Sequence, residues 1–171
     1  MTGAPTASEP LRAAVLTVSS SRAAAGGSDE SGDALVALVE ELGGALVERQ
    51  LVADDWTQIE SALRRLADGG GCDLVLTTGG TGFAASDVTP EATEAVLERR
   101  APGIAEAMRA ASAPHTPHWM LSRATAGIRA ATLIVNFPGN PKAIAETAQV
   151  LLPALPHAVS LLRDAPTAHR Q

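Results

Sequence analysis

The run Thr78-Gly79-Gly80-Thr81-Gly82, with Asp87 close behind it, places a row of exposed main-chain donors next to a carboxylate. Glycines let a backbone approach a ligand closely, and consecutive N–H groups with the hydroxyls of Thr78 and Thr81 can surround an anion. The run leaves a short apolar strand signal at Leu74 to Leu76 and enters a helix signal. Thr89 reads as the cap, Pro90 as the first helical residue and Glu91 as an acid in the first turn. Strand, glycine turn and helix opening are the parts from which phosphate sites are made. The stretch lacks the Gly-Lys-Ser/Thr of a P-loop and the glycine spacing of a dinucleotide fingerprint. An anion cradle beside an acid therefore suggests phosphate bound together with a divalent cation, since Mg²⁺ takes one or two carboxylates plus substrate oxygens. The plain alternative is a connecting turn in which Asp87 stabilises a helix N-terminus by roughly 0.3–1 kcal/mol.

Arg22, Arg123 and Lys142 are candidate cations for phosphate, although an isolated arginine is more often a surface residue. Lys142 is the only lysine in the chain. Ser122 sits beside Arg123 and could donate to the same anion. Ser19 opens a serine cluster, and Asn136, Pro138 and Gly139 precede Lys142 in a turn that Gly139 keeps open to close approach, with Asn140 capping the next helix. Asp55, immediately before Trp56, reads as a helix cap; Asp29 and Glu30 read as solvated. His115 and His118 have Pro114 and Pro117 around them and no acid or cysteine nearby, and read as loop residues rather than metal ligands. No Ser/His/Asp or Cys/His nucleophile arrangement is present.

Alternating strand and helix signals must position these groups. Strands are expected at Ala13 to Val18, Ala45 to Val52, Leu74 to Leu76 and Ala131 to Phe137, the second near a sheet edge. Helices are expected around Leu35 to Leu42, Trp56 to Leu66, Thr89 to about Arg100, Ile104 to Ala111 and Asn140 to Leu162, the last kinked at Pro153 to Pro156. Pro102-Gly103 reads as a break, and Ser112 to Arg129 as an irregular surface segment. The pattern predicts one α/β domain over residues 12–164, a three-layer α/β/α sandwich around a mostly parallel sheet, with loose tails at 1–11 and 165–171. Ser19 to Arg22, Thr77 to Gly82 and Asn136 to Lys142 each follow a strand end, where such sheets bind ligands.

Composition narrows the ligand. A net charge of -6 argues against nucleic acid or anionic membrane as partners. With no Tyr, 2 Phe and 2 Trp, few platforms exist for stacking bases. The 46% hydrophobic content must pack mainly as Ala, Val and Leu. The single cysteine, Cys72, excludes an internal disulfide and reads as a buried apolar residue. No signal pattern or spanning run is apparent, so a cytoplasmic location is expected.

Thr77-Thr-Gly-Gly-Thr-Gly-Phe-Ala-Ala-Ser-Asp-Val-Thr-Pro-Glu-Ala-Thr93 resembles the signature of the molybdenum-cofactor biosynthesis family, the MogA/MoaB-like molybdopterin adenylyltransferases. Further blocks are similar and in the same order: Thr17 to Arg22, Asp29 to Gly32, Asp54-Asp55, Met120 to Arg123, Ala126 to Ile128 and Asn136 to Ala143. The resemblance implies Mg²⁺-ATP-dependent adenylylation of molybdopterin with release of pyrophosphate, and no tightly bound organic cofactor. It implies that Asp54 and Asp87 serve catalysis and metal binding. Phosphate and substrate would fall to Ser19, Arg22, Thr78 to Gly82, Ser122, Arg123, Asn136, Pro138, Gly139 and Lys142. It also implies a homotrimer or hexamer, and a downstream molybdenum-insertion protein as partner. Ser86, Ser20 and Asp33 depart from residues the family often has, Arg, Asp and Pro respectively. Those departures support an alternative, a non-catalytic carrier of molybdopterin or nucleotide; a hydrolase of another nucleotide on the same domain is a third reading.

Overall fold

The computed structural model describes residues 9–164, so the expected tails lie outside it at 1–8 and 165–171. The elements in order are β1 (Arg12–Val18), α1 (Ser20–Ala25), α2 (Glu30–Glu41), β2 (Ala45–Val52), α3 (Trp56–Asp68), β3 (Leu74–Thr78) and α4 (Thr89–Glu94). After them come β4 (Arg99–Arg100), α5 (Pro102–Ser112), a 3-10 turn at Trp119–Leu121, β5 (Ala126–Arg129), β6 (Thr132–Phe137), α6 (Pro141–Leu151) and α7 (Leu155–Asp164).

The strands form one 6-stranded sheet in the order β2-β1-β3-β6-β5-β4. β2, β1, β3 and β6 run parallel, and β5 and β4 add an antiparallel edge. Residues of β3 are buried throughout, as a central parallel strand covered on both faces requires. Its side chains alternate between two cores. Leu74 and Leu76 pack with Leu35, Leu38, Ile144 and Leu151 on one face, while Val75 packs with Ile59, Leu63 and Val96 on the other. Helices therefore cover both faces, and the expected three layers are present. Phe137 is the one aromatic side chain in these cores among the described residues. Cys72 is buried, and that burial pushes its thiol up to about 11, far from reactive thiolate character.

Register fixes where the loops emerge. Thr17 of β1 stands opposite Thr78 of β3, and Thr78 stands opposite Phe137 of β6. The carboxyl ends of three adjacent strands are level, so the loops that follow them leave side by side on one edge of the sheet.

Several local expectations are corrected. The helix after Thr89 ends at Glu94, because the chain is then captured by the sheet. Glu98 N–H donates to Ile128 O at 2.9 Å and Ala101 N–H to Ala126 O at 2.8 Å, making β4 an edge strand. Pro102 opens α5 rather than breaking a helix, its missing N–H falling where no helical bond is needed. The irregular stretch before Arg129 contains β5, and Ser20–Ala25 forms a short helix with no apolar face to announce it. Asp29 is not a solvated loop acid. It caps α2, accepting from Gly32 N–H at 3.0 Å, from Thr17 Oγ1 at 2.7 Å and from Arg49 at 3.0 Å. Burial pushes its carboxyl up, but those three bonds outweigh it and hold the acid below its ordinary range. Leu11, assigned from sequence to the tail, is buried in the core.

At the opposite end of the sheet, Asp73 at the entrance to β3 ties both ends of the described chain together. Its carboxylate accepts from Arg12 N–H at 2.8 Å, from Arg12 Nη2 at 2.9 Å and from Arg163 Nη2 at 2.6 Å. Arg163 also donates to the carbonyls of Glu9 and Pro10. Burial pushes the Asp73 carboxyl up, but the two guanidinium groups hold it well below the usual carboxylate range. A depressed native pKa means stability that is complete above the unfolded value near pH ~3.9 and lost as pH falls below it. Asp73→Asn should cost about 3 kcal/mol in urea denaturation at pH 7, because two cations lose their buried partner. The variant should also show a smaller loss of stability than wild type between about pH 4 and 2.

Candidate active site

The edge formed by the level strand ends carries the Gly-rich turn. Gly79 has φ +96, and a Cβ there would lie 2.2 Å from Val18 O, so only glycine lets the turn pass under the end of β1. Gly80 has φ +64, and a Cβ there would lie 2.3 Å from Thr89 Oγ1 and 3.3 Å from Asp54 Oδ1. From the other side Gly139 backs onto Gly79, and Thr78 Oγ1 donates to Pro138 O at 2.8 Å. Thr89 N–H donates to Gly80 O at 3.1 Å and Arg123 N–H to Thr81 O at 3.0 Å. The turn is thus held by its carbonyls and by sterics. Among the described residues, no hydrogen bond uses the N–H of Gly79, Gly80, Thr81 or Gly82 as donor. Consecutive unpaired amides at a strand end form an anion-binding surface.

The acids flank this surface. Asp54, between β2 and α3, exchanges two bonds with the first residue of α1: Ser20 N–H donates to Asp54 Oδ2 at 2.7 Å, and Asp54 N–H donates to Ser20 Oγ at 2.9 Å. Ser20 therefore serves Asp54 directly. Asp87 Oδ2 accepts from Ala84 N–H at 2.9 Å, closing a small turn, and lies 2.8 Å from where a Cβ of Gly82 would be. Each acid keeps its Oδ1 free of hydrogen bonds from described residues. Among those residues no group of three or more His, Cys, Asp or Glu could hold a metal by protein ligands alone. Asp55 caps α3 through Gln58 N–H at 2.9 Å, as its position before Trp56 suggests.

The remaining sequence candidates separate into distinct groups. Thr78 is fully buried with its hydroxyl turned to Pro138, so it offers no hydroxyl to a ligand. Asn136 is also fully buried: its Nδ2 donates to Thr77 Oγ1 at 2.9 Å and Thr93 Oγ1 at 3.0 Å, bracing β6 against β3 and α4. Arg123 is committed to the protein. Its Nε donates to Gly82 O at 2.7 Å and its Nη2 to Asp87 O at 2.5 Å, while Nη1 pairs with Glu91. It clasps both ends of the loop that carries Asp87. Ser19 caps α1, and Ser122 Oγ accepts weakly from Ala124 N–H. Two cations remain more available: Arg22, whose Nε donates to Ser28 O at 3.2 Å, and Lys142, 84% exposed with Glu146 at 3.9 Å. Asn140 caps α6 through Lys142 N–H, placing that lysine in the first turn beside the Pro138–Gly139 loop. Next to this loop a cavity of about 140 Å³ is lined by Met108, Trp119, Ser122, Pro138 and Thr147. Ser86 is exposed, and Asp33 pairs with Arg49 at 2.7 Å, away from the turn.

Sequence reasoning missed the Ser20–Asp54 exchange and the burial of Thr89. It expected Thr89 to cap the helix, but Val88 holds that position and Thr89 is inside the first turn with no partner for its hydroxyl. The clasp gives a direct test. Arg123→Lys cannot reach three acceptors with one ammonium, so exchange of the Ala84 and Asp87 amides should accelerate by about tenfold or more while β3 stays protected. Hydrogen exchange read residue by residue checks it.

The family model described as a probable molybdopterin binding domain matches residues 14–157. A Helicobacter pylori molybdopterin adenylyltransferase is 48% identical over 113 residues, covering 66% of this chain and 64% of the relative. The chain thus spans just under two thirds of that relative's length. The Escherichia coli K12 molybdopterin adenylyltransferase is 44% identical over 142 residues, covering 80% of this chain and 71% of the relative. A solved structure of the molybdopterin biosynthesis enzyme MoaB from Thermus thermophilus superposes with TM-score 0.83 at 42% identity, covering 89% of this chain and 96% of that one.

Proposed function

Because the chain belongs to the molybdenum-cofactor biosynthesis family, we propose that it is a molybdopterin adenylyltransferase acting on molybdopterin and ATP. The carrying observation is the row of unpaired amides at Gly79 to Gly82 between two carboxylates that each keep an oxygen available. Relatives named for this activity favour it over the carrier reading.

In the proposed reaction an oxygen of molybdopterin's terminal phosphate attacks the α-phosphorus of ATP. The new P–O bond joins the pterin phosphate to AMP, the bond from the α-phosphorus to the bridging oxygen breaks, and pyrophosphate leaves. No protein nucleophile is needed, since the attacking oxygen is already anionic. The chain must bring two polyanions together and neutralise the charge that gathers between them. The amides of residues 79 to 82 bind phosphate oxygens without adding a charge that would need its own counterion. Lys142, in the first turn of α6, and Arg22, in α1, supply positive charge from the sides. Asp54 and Asp87 would hold Mg²⁺, whose chemistry is to screen the phosphates from each other and polarise the α-phosphate. The two acids fit that role: one or two carboxylates completed by substrate oxygens is the usual Mg²⁺ arrangement, and without a cation their charges would oppose a phosphate. Assembly as a homotrimer or hexamer in the cytoplasm, with transfer to a molybdenum-insertion protein, belongs to the same proposal and is supported by the family alone.

Asp87→Asn keeps an oxygen to accept from Ala84 N–H but removes the charge. Turnover, read as pyrophosphate released from Mg²⁺-ATP and molybdopterin, should fall by about three orders of magnitude, in the range seen when one electrostatic contact to a transition state is removed. Thermal stability should stay close to wild type. Wild-type turnover by this variant would remove Asp87 from the mechanism. Lys142→Ala should raise KM for one substrate by about tenfold, the loss of one charge-assisted contact of about 1.4 kcal/mol, with a smaller effect on kcat.

A further inference from the structure

Thr89 is fully buried, and its hydroxyl has no hydrogen-bond partner among the described residues. A buried hydroxyl without a partner costs about 1–3 kcal/mol, so such a group persists where something gives it a use. Its direction narrows what that use is. Thr89 Oγ1 lies 2.3 Å, and Asp54 Oδ1 3.3 Å, from the point where a Cβ of Gly80 would sit. The hydroxyl and the available carboxylate oxygen therefore converge on the same glycine from two elements, with only the absent side chain of Gly80 between them. Thr89 N–H meanwhile donates to Gly80 O at 3.1 Å, so the hydroxyl cannot drift from the turn. Neighbouring Thr93 shows the contrast: its hydroxyl accepts from Asn136 at 3.0 Å and is satisfied within the core.

We propose that Thr89 is a positioning residue of this site: its hydroxyl becomes a donor to the Asp54 carboxylate, or to a ligand oxygen beside it, when a phosphate seats on the Gly-rich turn. The unsatisfied hydroxyl is then a strain present in the ligand-free protein and relieved on binding. On ligand binding it would fix the position of Asp54 from beneath, as Ser20 fixes it from the start of α1. The proposal rests on the adenylyltransferase reading for its ligand but not for its apo-state arm.

Thr89→Val is nearly isosteric and deletes only the hydroxyl; Thr89→Ser keeps it. The melting temperature of ligand-free Thr89→Val should equal or exceed wild type, because a methyl replaces an unpaired hydroxyl. A clearly lower value would mean that the hydroxyl already has a partner without ligand, and would overturn the proposal. In the pyrophosphate assay, Thr89→Val should lose about tenfold or more in kcat, the equivalent of one hydrogen bond, with a rise in KM for ATP. Thr89→Ser should recover most of the rate. A stable Thr89→Val with unchanged kcat would make the hydroxyl a packing flaw and nothing more. If wild type releases no pyrophosphate, the adenylyltransferase reading fails by itself. The positioning role is then judged by calorimetric binding of Mg²⁺-ATP: weaker binding to Thr89→Val than to wild type supports it, and equal or absent binding overturns it.

Discussion

Main-chain N–H groups removed from a protein partner must meet water or a ligand, and at Gly79 to Gly82 the fold spends its other contacts ensuring that they do. The carbonyls of Gly80, Thr81 and Gly82 are all taken, by Thr89 N–H, Arg123 N–H and the Arg123 guanidinium. The glycine α-carbons are packed against Val18 O and Thr89 Oγ1. The turn is fixed from behind and open in front, so its donors cost little to organise when an anion arrives. A chain of net charge -6 needs such an arrangement, since neutral amides attract phosphate locally without altering the overall field.

The rest of the architecture sets this turn in place. Level register across β1, β3 and β6 brings the loops after Val18, Thr78 and Phe137 together. The fully buried Asn136 links β6 to β3 and α4 beneath them. Side chains that look like ligands in the sequence prove to be supports. Arg123 binds the loop around Asp87 from both ends, and Thr78 fastens the turn to Pro138. Asp54 is held by reciprocal bonds with Ser20.

Sequence alone revealed the layers, the four parallel strands and the Gly-rich turn, because each is written in local periodicity or in glycine content. Val75 between Leu74 and Leu76 marks a strand covered on both faces, and Asn140-Pro141 and Asp55-Trp56 mark helix starts that the structure contains. Other features depend on partners distant along the chain. Nothing around Asp29 foretells Thr17 and Arg49 as its donors, and nothing around Glu98 foretells the β5 edge that ends the helical run. The same limit applied at the site: whether Arg123 faces a ligand or the loop around Asp87 is decided by carbonyls at residues 82 and 87, not by its own neighbours.

A crystal structure with Mg²⁺ and a non-hydrolysable ATP analogue tests the central claim most directly. The account requires phosphate oxygens within hydrogen-bonding distance of the amides of residues 79 to 82, with the cation against Asp54 or Asp87. A nucleotide bound elsewhere, leaving those amides to solvent, would contradict it.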